Sequence, residues 1–512
     1  MSAMVELSIA VLAGSLVVVV AILATRFGSR FGLPSLLIFL AIGAAIGDSG
    51  LGVRFDNFEL ANVIGFTALV LILAEGGLTT RWTEIRGAIG IGALLATVGI
   101  VVSIAVVAVI THFALGLDWW IAVLLGAVCS PTDSAAVFSV LRRLPLPQRL
   151  RSVLEAESGL NDAPTVLVVS MVSLIAAGSA TLESSGGVLG TIALGVFELV
   201  VGVACGGLVG WLGIRLLRWV NLPSSGLQSI ATLALPCLAF GVASVLHTSG
   251  FAAVYAAAVL IGNARLPFRT ATRSFVEGVG WIAQIGLFVM LGLLASPARI
   301  TPHVIMIALV AGAALTFLAR PLSVLVCTIW FRLGWREDIF LSWAGLRGAV
   351  PIILATVPLV EGVPNALLLF DVVFVFVIIF TLLQAPTLPW LARRLGLADT
   401  EPDEVDLEVS SLDEISADLL QLRVAPDSRL AGVEVGELRL PRNVAISLVI
   451  RGDAMFAPGA AEVIRAGDTL LIVSPAALRG AVENRLRLVS RHGRLAGWRR
   501  AARRTLRGDG TP

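Results

Sequence analysis

Over the first 396 residues the chain alternates between long apolar runs and short polar joints, and it loses that pattern afterwards. A hydrocarbon core of ~30 Å takes about 20 apolar residues in a helix. Thirteen runs meet or approach that length: 4–25, 33–48, 60–79, 87–113, 117–141, 152–177, 188–219, 225–247, 250–264, 274–296, 302–331, 338–360 and 364–392. The second and ninth are short. Past 396 the apolar positions shrink to strand-length stretches at 419–424 and 444–450. Asp427-Ser-Arg-Leu-Ala-Gly432 between them reads as a helix start. Ala466-Gly-Asp-Thr-Leu-Leu-Ile-Val-Ser474 is a turn into a buried strand, and 476–488 has helical amphipathicity. The pattern predicts a polytopic all-α membrane part, 1–396, and a small α/β domain, 417–490. An acidic linker, 397–416, joins them, and a basic tail, 491–512, follows.

Composition supports this division. The chain is 57% apolar and 14% charged, where an ordinary soluble domain is about 25% charged. Residues 1–396 hold 21 Arg and 18 acids, about one charge in ten; residues 397–512 hold 16 Arg and 17 acids, more than one in four. Disordered chains, disulfide scaffolds and soluble enzymes are excluded. All four Cys lie in apolar runs without a CxxC pair, so they read as small buried hydrophobes rather than disulfides or metal ligands. Joints after odd-numbered spans carry seventeen Arg, and those after even-numbered spans carry only Arg54 and Arg299. By the positive-inside rule the N-terminus faces outward and the C-terminal domain is cytoplasmic. The first span lacks a basic n-region and is not a cleavable signal.

Ionisable residues at bilayer depth are costly and mark function. Asp162 lies eleven residues beyond Arg151, roughly 16 Å into the membrane at 1.5 Å per residue. Asp133, on the preceding antiparallel span, reaches similar depth if its segment is unwound. Two such carboxylates can share a proton or a small cation. Glu157 precedes Asp162 by five residues, and a buried Glu needs a cationic partner. Arg320 and Arg347 are both at mid-depth, and spacing does not choose between them. Glu75, in the cytoplasmic half of the third span, is placed to line a cytoplasmic funnel. Glu198 and Asp371 have no partner by spacing and read as structural.

Two spans are interrupted. Asp133 sits in Cys129-Ser-Pro-Thr-Asp-Ser134, where Pro131 breaks the helical ladder, and the twelfth span contains Gly345-Leu-Arg-Gly-Ala-Val-Pro351. Irregular backbone at this depth is tolerated only where it lines a cavity or is packed in protein. Paired interruptions are the sequence pointer to a transporter site. Six spans, a seventh linker and six more make the halves inverted repeats, with spans five and twelve corresponding.

These motifs resemble a known family. Glu157-Ser-Gly-Leu-Asn-Asp162 is similar to the ESxxND motif of NhaP-type monovalent cation:proton antiporters, within the sodium/proton exchanger superfamily. Ser-Pro-Thr-Asp133 resembles their fifth-span motif, and Ala319-Arg-Pro321 and Gly345-Leu-Arg-Gly-Ala349 resemble those of spans eleven and twelve. The resemblance implies that Asp162 alternates between cation and proton. Ser158 and the Thr132 carbonyl would complete the ion shell, with Asp133 joined through water. Asn161 would be structural, held by Glu157, and Glu157 would be bridged to Arg320, with Arg347 as the alternative. An Asn-Asp pair is similar to the electroneutral branch. A homodimer with an elevator-like mobile core is implied as well.

The C-terminal order of elements, with its Ala-Gly-Asp-Thr-Leu-Leu-Ile-Val run, resembles the RCK C-terminal (TrkA-C) domain of bacterial potassium systems. That resemblance implies regulation by a small ligand such as the nucleotide cyclic di-AMP. It also favours K+ over Na+ as the transported ion, which the pore motifs leave open. No other cofactor is expected. The basic tail reads as solvated, and no nucleic-acid partner is expected. A ligand-gated K+ efflux channel or a Kef-like efflux system is the rival reading. A K+ channel of the TVGYG type needs a filter sequence that is missing here, where the one Tyr is Tyr255. An enzyme is disfavoured because no HExxH or GxSxG motif is present.

Overall fold

The computed structural model describes residues 3–28, 35–48, 50–53, 55–133, 146–179, 187–220, 222–331, 333–397, 417–425, 428–441, 443–452, 454–475 and 478–492. The far half of the fifth span, the acidic linker beyond Leu397 and the basic tail beyond His492 lie outside the described residues. The chain divides into two compact units, Met1–Glu401 and Pro402–Pro512.

The first unit is a mostly helical, polytopic membrane protein. Among the described residues eight helices are long and apolar enough to cross a bilayer, from Phe58–Thr79 to Ala366–Arg394. Five shorter apolar helices accompany them: Val11–Arg26, Ser35–Ile46, Trp119–Cys129, Gly250–Gly262 and Ala349–Val360. Large side chains such as Leu189, Phe197 and Trp219 are exposed on the helices, as a lipid-facing surface requires. The core lies where the fifth, eleventh, twelfth and last spans meet, around Leu125, Leu315, Leu346 and Phe376.

Local chemistry explains each break. The Trp119–Cys129 helix ends where Pro131 lacks the N–H that would bond Ala127, and the Ser130 N–H tightens onto the Ala127 carbonyl instead, at 3.4 Å. The twelfth span divides into Trp335–Trp343, Ala349–Leu354 and Thr356–Val360, with 344–348 non-helical between the first two pieces. Pro351 leaves the Arg347 carbonyl without its helical donor, and the Thr381 hydroxyl supplies the bond at 2.7 Å. The sixth span, expected to be continuous, is broken too. Gln148–Leu160 and Asp162–Ala176 meet at Asn161. Here Pro164 removes the donor owed to the Leu160 carbonyl.

Spans four and eleven, seven apart, each contain a π-helical turn, Leu95–Gly99 and Ala314–Ala319. Four residues past each turn, Ser103 and Ser323 meet at 2.9 Å, and the Ser323 hydroxyl reaches the Gly99 carbonyl, also at 2.9 Å.

Over its described residues the second unit is a four-stranded antiparallel sheet with one α-helix and a short 3-10 turn, Val435–Leu438. The strands are β1 (Ala417–Arg423), β2 (Ala445–Arg451), β3 (Ala454–Phe456) and β4 (Thr469–Pro475), in the order β1-β4-β2-β3. A register shift falls between Ile446 and Leu448. Leu470 and Ile472 on one face of β4 pack with Val482, Leu486 and Val489 of the Arg479–His492 helix. The helix expected to start at Asp427 does not form over the described residues 428–432. Ser428 and Leu430 carbonyls close turns instead, Gly432 takes a left-handed φ of 87°, and its N–H is captured by the Ile464 carbonyl at 2.8 Å. A tertiary acceptor outcompetes the local helix signal.

Candidate functional site

The two interrupted spans join through their unwound backbones. The Asp133 N–H donates to the Leu346 carbonyl at 2.9 Å, and the Ala349 N–H donates to Asp133 Oδ2 at 3.2 Å. A side chain on Gly348 would overlap the Asp133 carboxylate, and one on Gly345 would press on the Arg320 and Arg347 guanidinium groups at 2.9 and 3.0 Å. Both glycines are there because three charged groups, Asp133, Arg320 and Arg347, pass against bare backbone.

Residues from the sixth span complete the cluster. The Asn161 amide donates to the Thr132 carbonyl at 3.0 Å and to its Oγ1 at 2.9 Å. The Thr132 and Ser158 hydroxyls meet at 3.1 Å. Asn161 is thus held by Thr132, and its side chain does not bond the Glu157 carboxylate. The local reason is the break at Asn161, which aims that side chain across to the unwound fifth span.

Arg320 donates to both oxygens of Glu157, at 2.5 and 2.7 Å, with both side chains under 5% exposed. The fork geometry of a guanidinium on a carboxylate satisfies four polar positions at once and offsets the cost of burying both charges. Arg347 does not pair with Glu157. Its Nε donates to the Cys129 carbonyl at 3.3 Å, its Nη1 donates to the Gly345 carbonyl, and its Nη2 has no partner among the described residues. It caps the carbonyl end of the Trp119–Cys129 half-helix, where a positive charge complements the dipole.

Asp162 opens the second half of the sixth span and is buried, 6% exposed. Among the described residues its Oδ1 has no hydrogen-bond partner, nor has Asn161 Oδ1. Asp133 is close enough to act on it electrostatically. Asp162, Asp133, Ser158, Thr132, Asn161, Glu157, Arg320 and Arg347 therefore meet at one place. Glu75 is half-buried and packs against Gly280 of the Arg269–Leu294 helix. The donor set of carboxylate, hydroxyl and carbonyl oxygens suits a hard monovalent cation or a proton.

One pairing was not legible from spacing. Asp371 is engaged by Arg299, whose Nε lies 3.0 Å from Oδ2 and whose Nη2 lies 3.0 Å from Oδ1. Arg299 was one of two Arg breaking the loop charge bias, and that exception was the available signal.

Residues 15–394 match the family described as the transmembrane sodium/hydrogen exchangers, and residues 419–487 match the TrkA-C domain. The chain is 35% identical over 462 residues to the K(+)/H(+) antiporter NhaP of Alkalimonas amylolytica, covering 89% of this chain and 79% of that protein. It is 33% identical over 472 residues to K(+)/H(+) antiporter NhaP2 of Shewanella oneidensis, covering 90% and 80%. The fold is similar to that of the sodium proton antiporter MjNhaP1 of Methanocaldococcus jannaschii, with a TM-score of 0.62 at 21% identity over 76% of this chain and 99% of that one. The chain belongs to the transmembrane sodium/hydrogen exchanger family.

Proposed function

We propose that this protein is an electroneutral antiporter that exchanges one K+ for one proton, with Asp162 as the shared carrier of both. The observation that carries the reading is the buried Asp162 carboxylate, with an oxygen lacking a hydrogen-bond partner among the described residues, beside crossed, unwound backbone. The names of the relatives at 33 and 35% identity support K+ over Na+.

Competition is the mechanism. Asp162 is neutralised either by a proton or by a cation, with the Ser158 hydroxyl and the Thr132 carbonyl completing the cation's shell and Asp133 acting through water. The empty, charged form crosses poorly because a bare carboxylate is costly against an apolar barrier. Both loaded forms cross. Asn161 carries no titratable proton, so one charge moves each way. Glu157–Arg320 and Arg347 hold the crossing in shape, and Glu75 lines the cytoplasmic approach.

The same proposal includes thirteen spans as six, one and six inverted repeats. The π-helical turns seven spans apart and the breaks in spans five and twelve support it. The N-terminus is outside, the TrkA-C domain is cytoplasmic and regulates exchange with a small ligand, and the protein works as a homodimer with an elevator-like core.

The test is proton flux in proteoliposomes under an imposed K+ or Na+ gradient at clamped membrane potential. Cation-driven proton movement that ignores the potential is expected, lost in Asp162→Asn protein that remains folded and inserted. Cation flux without proton movement, or normal exchange in Asp162→Asn, overturns the reading.

A further inference from the structure

Asp371 and Arg299 take no part in the crossing, and the exchange assigned above does not use them. A buried ion pair is seldom the most stable filling, because apolar side chains of similar volume pack as well without desolvating charge. Asp371 is buried near the start of the last span, Ala366–Arg394. Arg299 stands in a joint that the positive-inside bias leaves poor in Arg. Its guanidinium forks onto the Asp371 carboxylate, and its Nη2 also donates to the carbonyl of Leu294, the last residue of Arg269–Leu294, at 3.2 Å. The pair clamps the end of the tenth span to the start of the thirteenth.

Other contacts follow the same seam. Asn62 Nδ2 donates to the Thr356 hydroxyl at 3.1 Å. A side chain on Gly65 would press on Ile353 at 3.0 Å. Phe58 and Phe370 meet edge to face with ring centroids 5.7 Å apart. Phe58, Asn62 and Gly65 belong to Phe58–Thr79, which packs on Arg269–Leu294. Their partners belong to the twelfth and last spans. Thr356–Val360 packs on Phe58–Thr79 and also on Asp162–Ala176, the half-helix that Asp162 opens.

The clamp differs from the sealed Arg320–Glu157 pair in one respect: 31% of the Arg299 side chain is exposed. A sealed pair that parts strands its charges. A pair with one wet member lets water in as it parts, and hydration then offsets the lost contacts. Such a pair suits a contact that is made and broken repeatedly.

We propose that the Arg299–Asp371 pair is a latch on the outer approach to Asp162, shut in this conformation and parted when the site faces outward. The proposal rests on the exchange cycle and the orientation proposed above. Arg299 and Asp371 are positioning residues, and neither touches the ion.

The test reads the half-saturating K+ of cation-driven proton flux at each face, in right-side-out and everted membrane vesicles. Asp371→Asn strands no buried carboxylate. It should lower the outer value and raise the cytoplasmic one, each by up to roughly ten-fold, the weight of one charge-assisted hydrogen bond. A merely structural defect would cut the maximal rate without moving the two values in opposite directions. Arg299→Lys, which keeps the charge but loses the fork, should shift them the same way by less. Arg299→Cys/Asp371→Cys bridged by a bifunctional methanethiosulfonate should stop exchange until the bridge is reduced, whereas wild type given the reagent should keep exchanging. Exchange that persists in the fully bridged protein overturns the latch, as do values in Asp371→Asn that stay fixed or move together. Asp162→Asn is run alongside. Exchange retained there removes the reading on which the latch rests, whereas exchange lost there with the bridged protein still active removes the latch alone. If Asp371→Asn does not fold, the bridged protein decides on the same terms.

Discussion

Both units of the molecule are organised by a guanidinium on carboxylates, and solvent makes the two arrangements unlike. At the helix crossing, Arg320 and Glu157 are sealed, with 4% and 3% of their side chains exposed. In the C-terminal unit Arg451 clasps Asp468 at 2.9 Å and Glu462 at 3.1 Å, yet a quarter of its own side chain stays in water. A sealed charge that loses its partner has nowhere to turn. A wet one rehydrates. The first pair is thus a condition for the crossing to exist, and the second is a moderate clamp on a sheet.

The strongest way to break that comparison is to remove one partner of the sealed pair. Arg320→Ala should destabilise the transmembrane unit by about 3–5 kcal/mol by stranding Glu157, whereas Glu157→Leu/Arg320→Met should recover most of that loss. Thermal melting in detergent, followed by monodispersity on gel filtration, reads both. A single variant as stable as the double one would mean that the Glu157 carboxylate finds water or another donor.

A smaller effect is expected at the backbone crossing itself. Gly348→Ala places a methyl where the Asp133 carboxylate lies. It should cost about 1–3 kcal/mol as overpacking, with exchange impaired more than stability because Asp133 must move. Comparing melting with cation-driven proton flux separates the two. Wild-type flux in this variant would show that the contact between Gly348 and Asp133 is dispensable.

The smallest effect belongs to the wet clamp. The Arg451 guanidinium hydrogen-bonded to Asp468, joined by the Arg465 N–H, holds the Asp468 carboxyl below its usual range. A depressed folded-state value stabilises above the unfolded-state value of about 3.9 and is lost as pH falls through the folded one. Asp468→Asn should therefore cost about 1–2 kcal/mol at neutral pH and progressively less below about pH 4. Hydrogen–deuterium exchange of β4 in the full chain measures it. A loss that is independent of pH would place the effect in packing rather than in the charge.

Much of the site was legible because burial at membrane depth leaves few explanations for a charge. Asp133, Glu157, Asp162, Arg320 and Arg347 stood out from their apolar runs, and Pro131 and the Gly-Leu-Arg-Gly stretch announced unwound backbone. The break at Asn161 was legible in principle, since Pro164 follows it closely, but the ESxxND stretch reads as continuous helix by hydropathy. The Asp427 segment misled for the opposite reason: a local capping signal was weaker than one backbone hydrogen bond to Ile464.

The sequence by itself determined that the chain is polytopic, where charge is tolerated, that spans five and twelve must break, and where a second domain follows. Those are properties of segments, set by transfer free energies and by missing N–H groups one residue at a time. Only the tertiary structure decided that Arg320 rather than Arg347 meets Glu157, that Thr132 holds Asn161, and that Arg299 answers Asp371. Each of those pairs joins residues from different spans. Which guanidinium reaches which carboxylate depends on the rotation and depth of one helix against another, and hydropathy along a single strand of sequence carries no record of either.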